Sequence, residues 1–107
     1  VEKTIMIIGG GLLQLPAIIA AKKMGLQVIV TDYNPDTPGM READIPILMS
    51  TRDVEGSVRV ARAQNKITPI NGVLTVGTDA SMTVAAVANS LGLPGIKFED
   101  AEAATNK

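Results

Sequence analysis

The sequence contains no cysteine, no histidine and no tryptophan, and its aromatic content is one tyrosine and one phenylalanine. Without cysteine there can be no disulfide and no thiolate nucleophile; without histidine, no Cys/His zinc site and no imidazole general base. So few aromatics leave almost no platform for base stacking, and ten Lys+Arg against eleven Asp+Glu give a formal net charge of −1. A chain so balanced carries no electrostatic footprint for nucleic acid or for an anionic membrane. Long hydrophobic runs are lacking too. The first, Thr4-Ile5-Met6-Ile7-Ile8, is far too short to span a bilayer and has neither a basic segment before it nor a cleavage site after it. These absences lead to the expectation of a cytoplasmic protein with neither nucleic acid nor membrane among its partners.

What remains is the composition of a folded domain. At 46% hydrophobic and 20% charged, the chain is globular rather than disordered, and 107 residues hold one core. Its opening is its most informative stretch. The apolar run to Ile8 feeds Gly9-Gly10-Gly11, a helical pattern follows from about Leu12 to Met24, and Gln27 to Thr31 forms a second strand ending at Asp32. This is a βαβ unit of the nucleotide-binding type. Lys22 and Lys23 suit the last turn of the helix, and Gly25 suits a left-handed cap. The cluster from Asp32 to Gly39 reads as a loop.

A third strand, Ile45 to Met49, contains Pro46, which cannot donate to a ladder and therefore belongs at a sheet edge. Asp53 caps a helix to about Asn65, with Val54, Val58 and Ala61 at helical spacing. Gly72 to Val76 forms a fourth strand, and Asp79 or Ser81 caps a helix to about Leu91. Ile96-Lys97 suits a short fifth strand, and Glu99 to Lys107 reads as helix. The expected fold is a Rossmann-like α/β three-layer parallel sheet with strand order 3-2-1-4. The chain begins at Val1 and its last helical pattern meets no stop signal. The expectation is therefore a domain over residues 1–98, followed at 99–107 by the start of a helix leading into a further domain.

Several residues could carry chemistry. The glycine turn lets a backbone approach a ligand and opens onto a helix N-terminus, although a tight βα turn needs glycine in any case. As a dinucleotide fingerprint the match is partial: Gly9 and Gly11 fit, but Gln14 stands where the third glycine belongs. Asp32 occupies the place of a ribose-binding acid, and could equally organise the Asn34-Pro35 turn. Gln14 and the Thr78-Asp79 pair follow the first and fourth strands, which flank the switch point where open α/β sheets bind ligands. Gln14 could read a polar small molecule or simply face solvent; Asp79 could bind an amine or cap its helix. The carboxylates are scattered over separate loops, so neither a metal site nor an acid–base pair is expected, and no catalytic residue is assigned. A phospho-acceptor receiver would need two acids just after the first strand, where this chain has glycines.

Read in order, Ile7 to Gly11, Gln14-Leu15-Pro16, Ala20 to Gly25, Val30 to Pro35, Pro38-Gly39, Ala43-Asp44 and Gly92 to Gly95 with the final Thr105-Asn106-Lys107 resemble one family. It is the N-terminal domain of ATP-grasp ligases, the pre-ATP-grasp or biotin-carboxylase-N-terminal-like domain. The order looks most like carbamoyl-phosphate-synthase large-subunit-like members. The resemblance implies an enzyme that activates a small-molecule carboxylate with ATP to an acyl phosphate, which an amine or other nucleophile then attacks. It places ATP and magnesium between later, C-terminal ATP-grasp domains of the same chain, leaving this part with no cofactor of its own and inactive alone. By position, Gly10, Gly11 and Gln14 fall in one substrate loop, and Thr78 and Asp79 in a second. Some relatives carry an acid in the glycine loop; the polar residue here is the amide Gln14. In some the domain also forms a homodimer face. Two other readings stand beside it: a small NAD-binding domain using Gly9, Gly11 and Asp32, and an interaction module without a ligand.

Overall fold

A computed structural model describes residues 3–76 and 80–94. The chain alternates strand and helix: β1 (Thr4–Ile8), α1 (Leu15–Lys23), β2 (Gln27–Asp32), α2 (Pro38–Glu42), β3 (Ile45–Leu48), α3 (Val54–Ile67), β4 (Gly72–Leu74) and α4 (Ser81–Ser90). All strand pairs are parallel, and the order across the sheet is β3-β2-β1-β4. Strand order and fold class are those expected from the sequence.

Where the sequence led to one core, alternation along the central strands builds an apolar cluster on each face of the sheet. Met6, Ile8 and Ile29 face one side, where Ala61 of α3 and Val87 of α4 cover them. Ile7, Val28 and Val30 face the other, under Ile18 and Ala21 of α1 and Met40 of α2. Burial on both faces is why β1 and β2 read as unbroken apolar runs. β3 shows the opposite pattern, half-buried residues alternating with exposed ones, as suits an edge. Pro46 lies opposite Val30 there, on a strand that pairs only with β2, so its missing N–H costs no ladder bond.

Helix ends follow local chemistry in most places. Gly25 at φ +80° closes α1, with its N–H on Lys22 O and the Leu26 N–H on Ala21 O at 3.0 and 3.1 Å. Asp53 caps α3 by accepting from the Gly56 N–H at 2.8 Å. Beyond shifts of a residue or two at element ends, the structure differs from the sequence reading in these places. Residues 12–14 form a turn in which Gln14 N–H reaches Gly11 O, and α1 starts only at Leu15. Within the expected loop after Asp32 sits α2, with Thr37 accepting from Met40 N–H and Pro38 in its first turn. β4 stops at Leu74 rather than Val76. The N-cap of α4 is Ala80, which makes no side-chain cap, so Ser81 is not the capping residue. The fifth strand, the final helix and the pair Thr78-Asp79 lie outside the described residues. No helix among the described residues is long and apolar enough to cross a membrane.

Candidate functional site

β1 leaves the sheet through Gly9, whose φ of +105° only glycine adopts without strain. Its N–H still reaches Thr31 O at 2.8 Å, a backbone tie to β2. The Gly10 N–H then donates to Asp32 Oδ2 at 2.9 Å, while Asp32 Oδ1 accepts from the Asn34 N–H at 3.1 Å. Asp32, about 9% exposed, therefore braces the glycine turn and starts the turn after β2 with the same carboxylate. That is the structural one of its two sequence readings.

Gly10 is walled in by α2. The Gly39 N–H donates to Gly10 O at 2.7 Å, and a Cβ on Gly39 would lie 2.6 Å from that oxygen and 2.7 Å from Gly10 Cα. A Cβ on Gly10 would meet Thr37 Oγ1 at 2.7 Å and Met40 N at 3.1 Å. The two glycines let one backbone cross another with no side chain between them. Gly11 differs: nothing lies within 4 Å of where its Cβ would be.

Gln14 is neither exposed nor free. It is 1% accessible, and its amide pairs with both backbone groups of Val76: Oε1 accepts from the Val76 N–H at 2.8 Å, and Nε2 donates to Val76 O. Its Cγ and Nε2 also lie 3.4 and 3.5 Å from a Cβ position on Gly9. Where a dinucleotide fingerprint leaves room between helix and strand, this chain has a filled one.

Above this floor lies a cleft of about 300 Å³, lined by Gly9, Gly11, Leu12, Leu13, Gln14, Asp32 and Thr51. It sits at the carboxyl ends of β1 and β2, at the edge of the sheet where open α/β folds bind ligands. Thr51 was not singled out by sequence. The Thr83 hydroxyl of α4 donates to its carbonyl at 2.6 Å, tying the β3–α3 loop to α4. Such a long-range bond leaves no mark in local sequence. Among the described residues Asp32 is the only charged one in the lining, so what they offer is small polar groups and backbone, with two leucines at the lip, and no acid–base pair. Gly10 is beneath this surface rather than in its lining, and Thr78 and Asp79 lie outside the described residues. No group of three or more His, Cys, Asp or Glu able to hold a metal occurs among the described residues. A wider depression of about 420 Å³ on α3, lined by Glu55, Val58, Arg59, Arg62, Ala63 and Lys66, draws on no strand end and is a solvated charged helix face.

Comparison with known proteins agrees with this geometry. No curated protein sequence matches the chain. Among solved structures, phosphoribosylglycinamide synthetase from Anaerococcus prevotii is similar at 25% identity and a TM-score of 0.74, covering 92% of this chain and 25% of its own. L-amino acid ligase from Bacillus licheniformis is similar at 27% identity and TM-score 0.72, over 94% of this chain and 26% of the other. N5-carboxyaminoimidazole ribonucleotide synthetase from Thermotoga maritima shares 34% identity over 69% of this chain and 19% of its own, with a TM-score of 0.55. The chain thus spans about a quarter of the length of the first two. The family model described as the ATP-grasp N-terminal domain matches residues 18–95, well over half of the sequence. With the 3-2-1-4 sheet and its carboxyl-edge cleft already in place, that match shows that the chain belongs to the ATP-grasp N-terminal domain family.

Proposed function

We propose that this chain is the substrate-side domain of an ATP-dependent carboxylate ligase. In this reading ATP and magnesium occupy ATP-grasp domains elsewhere in the same protein. A carboxylate oxygen attacks the γ-phosphorus of ATP and releases ADP, and a nucleophile then displaces phosphate from the acyl phosphate to form the new bond. The family match over residues 18–95 carries the proposal. The chain's own contribution is a wall: the Gly10-Gly11 turn, with Gln14 behind it, and the Thr78-Asp79 loop frame a small-molecule carboxylate, while no residue of this part performs the chemistry. Motif order favours a carbamoyl-phosphate-synthase large-subunit-like member working in the cytoplasm, and pairing of two copies through this domain belongs to the same reading.

The distribution of exposed apolar groups supports it. Among the described residues, eight large hydrophobics are exposed, and five of them, Leu12, Leu13, Tyr33, Leu48 and Val76, lie at or just beyond the carboxyl ends of the strands. A monomer seldom leaves such a set around a cleft unless something covers it. The buried, committed positions of Gln14 and Asp32 count against the NAD-binding reading, and the cleft counts against an interaction module.

The test has two arms. Amide resonances of the 107-residue chain, titrated with NADH and separately with ATP and magnesium, are expected to stay still. Saturable shifts with NADH at Gly9 to Gln14 and Asp32 would overturn the proposal in favour of a dinucleotide domain. The protein carrying this domain with its ATP-grasp domains is expected to release ADP only when its carboxylate is present, and to yield a hydroxamate when hydroxylamine is added. Carboxylate-independent turnover without hydroxamate would overturn the acyl-phosphate route.

A further inference from the structure

The side chains of the described residues lining the cleft offer three polar groups, those of Gln14, Asp32 and Thr51. Two of them are already committed. The Gln14 amide is taken at both ends by the Val76 backbone. Each Asp32 oxygen accepts from a backbone N–H, Oδ2 from Gly10 and Oδ1 from Asn34. The third group, the Thr51 hydroxyl, makes no hydrogen bond to any described residue. The backbone that carries it is nevertheless fixed. Thr51 O accepts from the buried Thr83 hydroxyl at 2.6 Å, the Asp53 N–H closes on Ser50 O at 3.1 Å, and the Met49 N–H ties the start of the loop to Asp32 O at 3.0 Å. A hydrogen-bonding group held on a fixed loop loses little freedom when a ligand arrives.

We infer that Thr51 is a specificity-determining residue of the cleft, whose hydroxyl bonds an uncharged polar group of the substrate. This rests on the substrate-side reading above and deepens it. The reacting carboxylate belongs with the ATP-bearing domains, and the end of the molecule that meets this wall is neutral. The composition of the wall sets that charge. Among the described residues the lining has no cation, and its one carboxylate is nearly buried. An anion here would face Asp32 with nothing to offset its desolvation. An ammonium group would have to pair with Asp32, whose two oxygens are occupied in bracing the glycine turn and the turn after β2. A hydroxyl both donates and accepts, so Thr51 suits an alcohol or an amide. Leu12 and Leu13, both exposed at the lip, suit a short apolar stretch beside that group.

Lactamide is the probe, because it sets a hydroxyl and an amide beside one methyl group and bears no charge. Titrated into the 107-residue chain, it is expected to shift the resonances of Gly11 to Leu13 and of Thr51 saturably. It should bind more tightly than propionate, an anion of similar size. Thr51→Val removes the hydroxyl but keeps the shape and the carbonyl that Thr83 holds. Lactamide affinity should then fall about three- to tenfold, with the melting temperature unchanged. Thr51→Ser keeps the hydroxyl and is expected to recover most of that affinity. No lactamide binding, equal binding by wild type and Thr51→Val, or tighter binding of propionate would overturn the inference. So would a Thr51→Val melting temperature several degrees lower, the mark of a purely structural hydroxyl. In the protein with its ATP-grasp domains, Thr51→Val is expected to raise KM for the carboxylate by a similar factor and leave KM for ATP unchanged. An unchanged carboxylate KM would overturn the role in recognition. A wild-type protein with no carboxylate-dependent turnover would instead sink the ligase reading, and the lactamide titration would still decide Thr51.

Discussion

The glycine turn after β1 has two flanks, and they are closed in opposite ways. Toward α2 the closure is backbone on backbone: Gly39 N–H on Gly10 O, with a Cβ on Gly39 2.6 to 2.7 Å from Gly10 backbone atoms that cannot move aside. Toward β4 the closure is a long side chain, Gln14 reaching Val76 across a gap that backbone does not span. A backbone crossing is rigid and admits no side chain at all. A side-chain clasp keeps its geometry only while its polar atoms match, so its chemistry can be tuned by one substitution. The rigid flank supports the fold, and the tunable flank holds the exit of β4 at Val76.

This contrast can be broken from the rigid side first. Gly39→Ala is expected to have the largest effect, about 3 kcal/mol of lost stability in chemical denaturation, since its Cβ meets Gly10 backbone as well as the Ile18 side chain, and the backbone cannot move aside. Asp32→Ala strands the buried N–H of Gly10 and frees that of Asn34, and about 2 kcal/mol should be lost by the same measurement. Gly10→Ala presses first on the Thr37 hydroxyl, which can rotate, so a loss of about 1 kcal/mol is expected, accompanied by weaker protection of the Met40 amide in hydrogen exchange. Gly11→Ala sharpens the comparison from the open side. With nothing near its Cβ, stability should stay within about 0.5 kcal/mol of wild type, and a thermal melt that fell by several degrees would mean the turn is packed on both sides.

Much of the fold was legible because it rests on local rules. Unbroken apolar runs marked β1 and β2 as buried on both faces, Pro46 marked the edge strand, and Asp53 marked a cap. α2 was not legible, because Asp32 to Gly39 is dense in turn formers and a helix of five residues has no periodicity to show. Thr37 followed by Pro38 was the available signal, a cap and a first-turn proline hidden among turn residues. For the site, Asp32 was readable as a turn organiser since its partner Asn34 is two residues away. Gln14 was not, since Val76 lies 62 residues along the chain.

By itself, then, the sequence determined a parallel α/β sheet with its strand order, the glycine turn at its switch point and the order of motifs that marks the family. Those follow from periodicity, propensity and short-range hydrogen bonding, which act between near neighbours. The tertiary structure decided what each residue of the turn is for: Gly10 for a backbone crossing, Asp32 for bracing it, Gln14 for holding the exit of β4, and Gly11 alone left open. These assignments depend on which distant backbone atom occupies the last few ångströms beside each residue, and only the folded chain sets that.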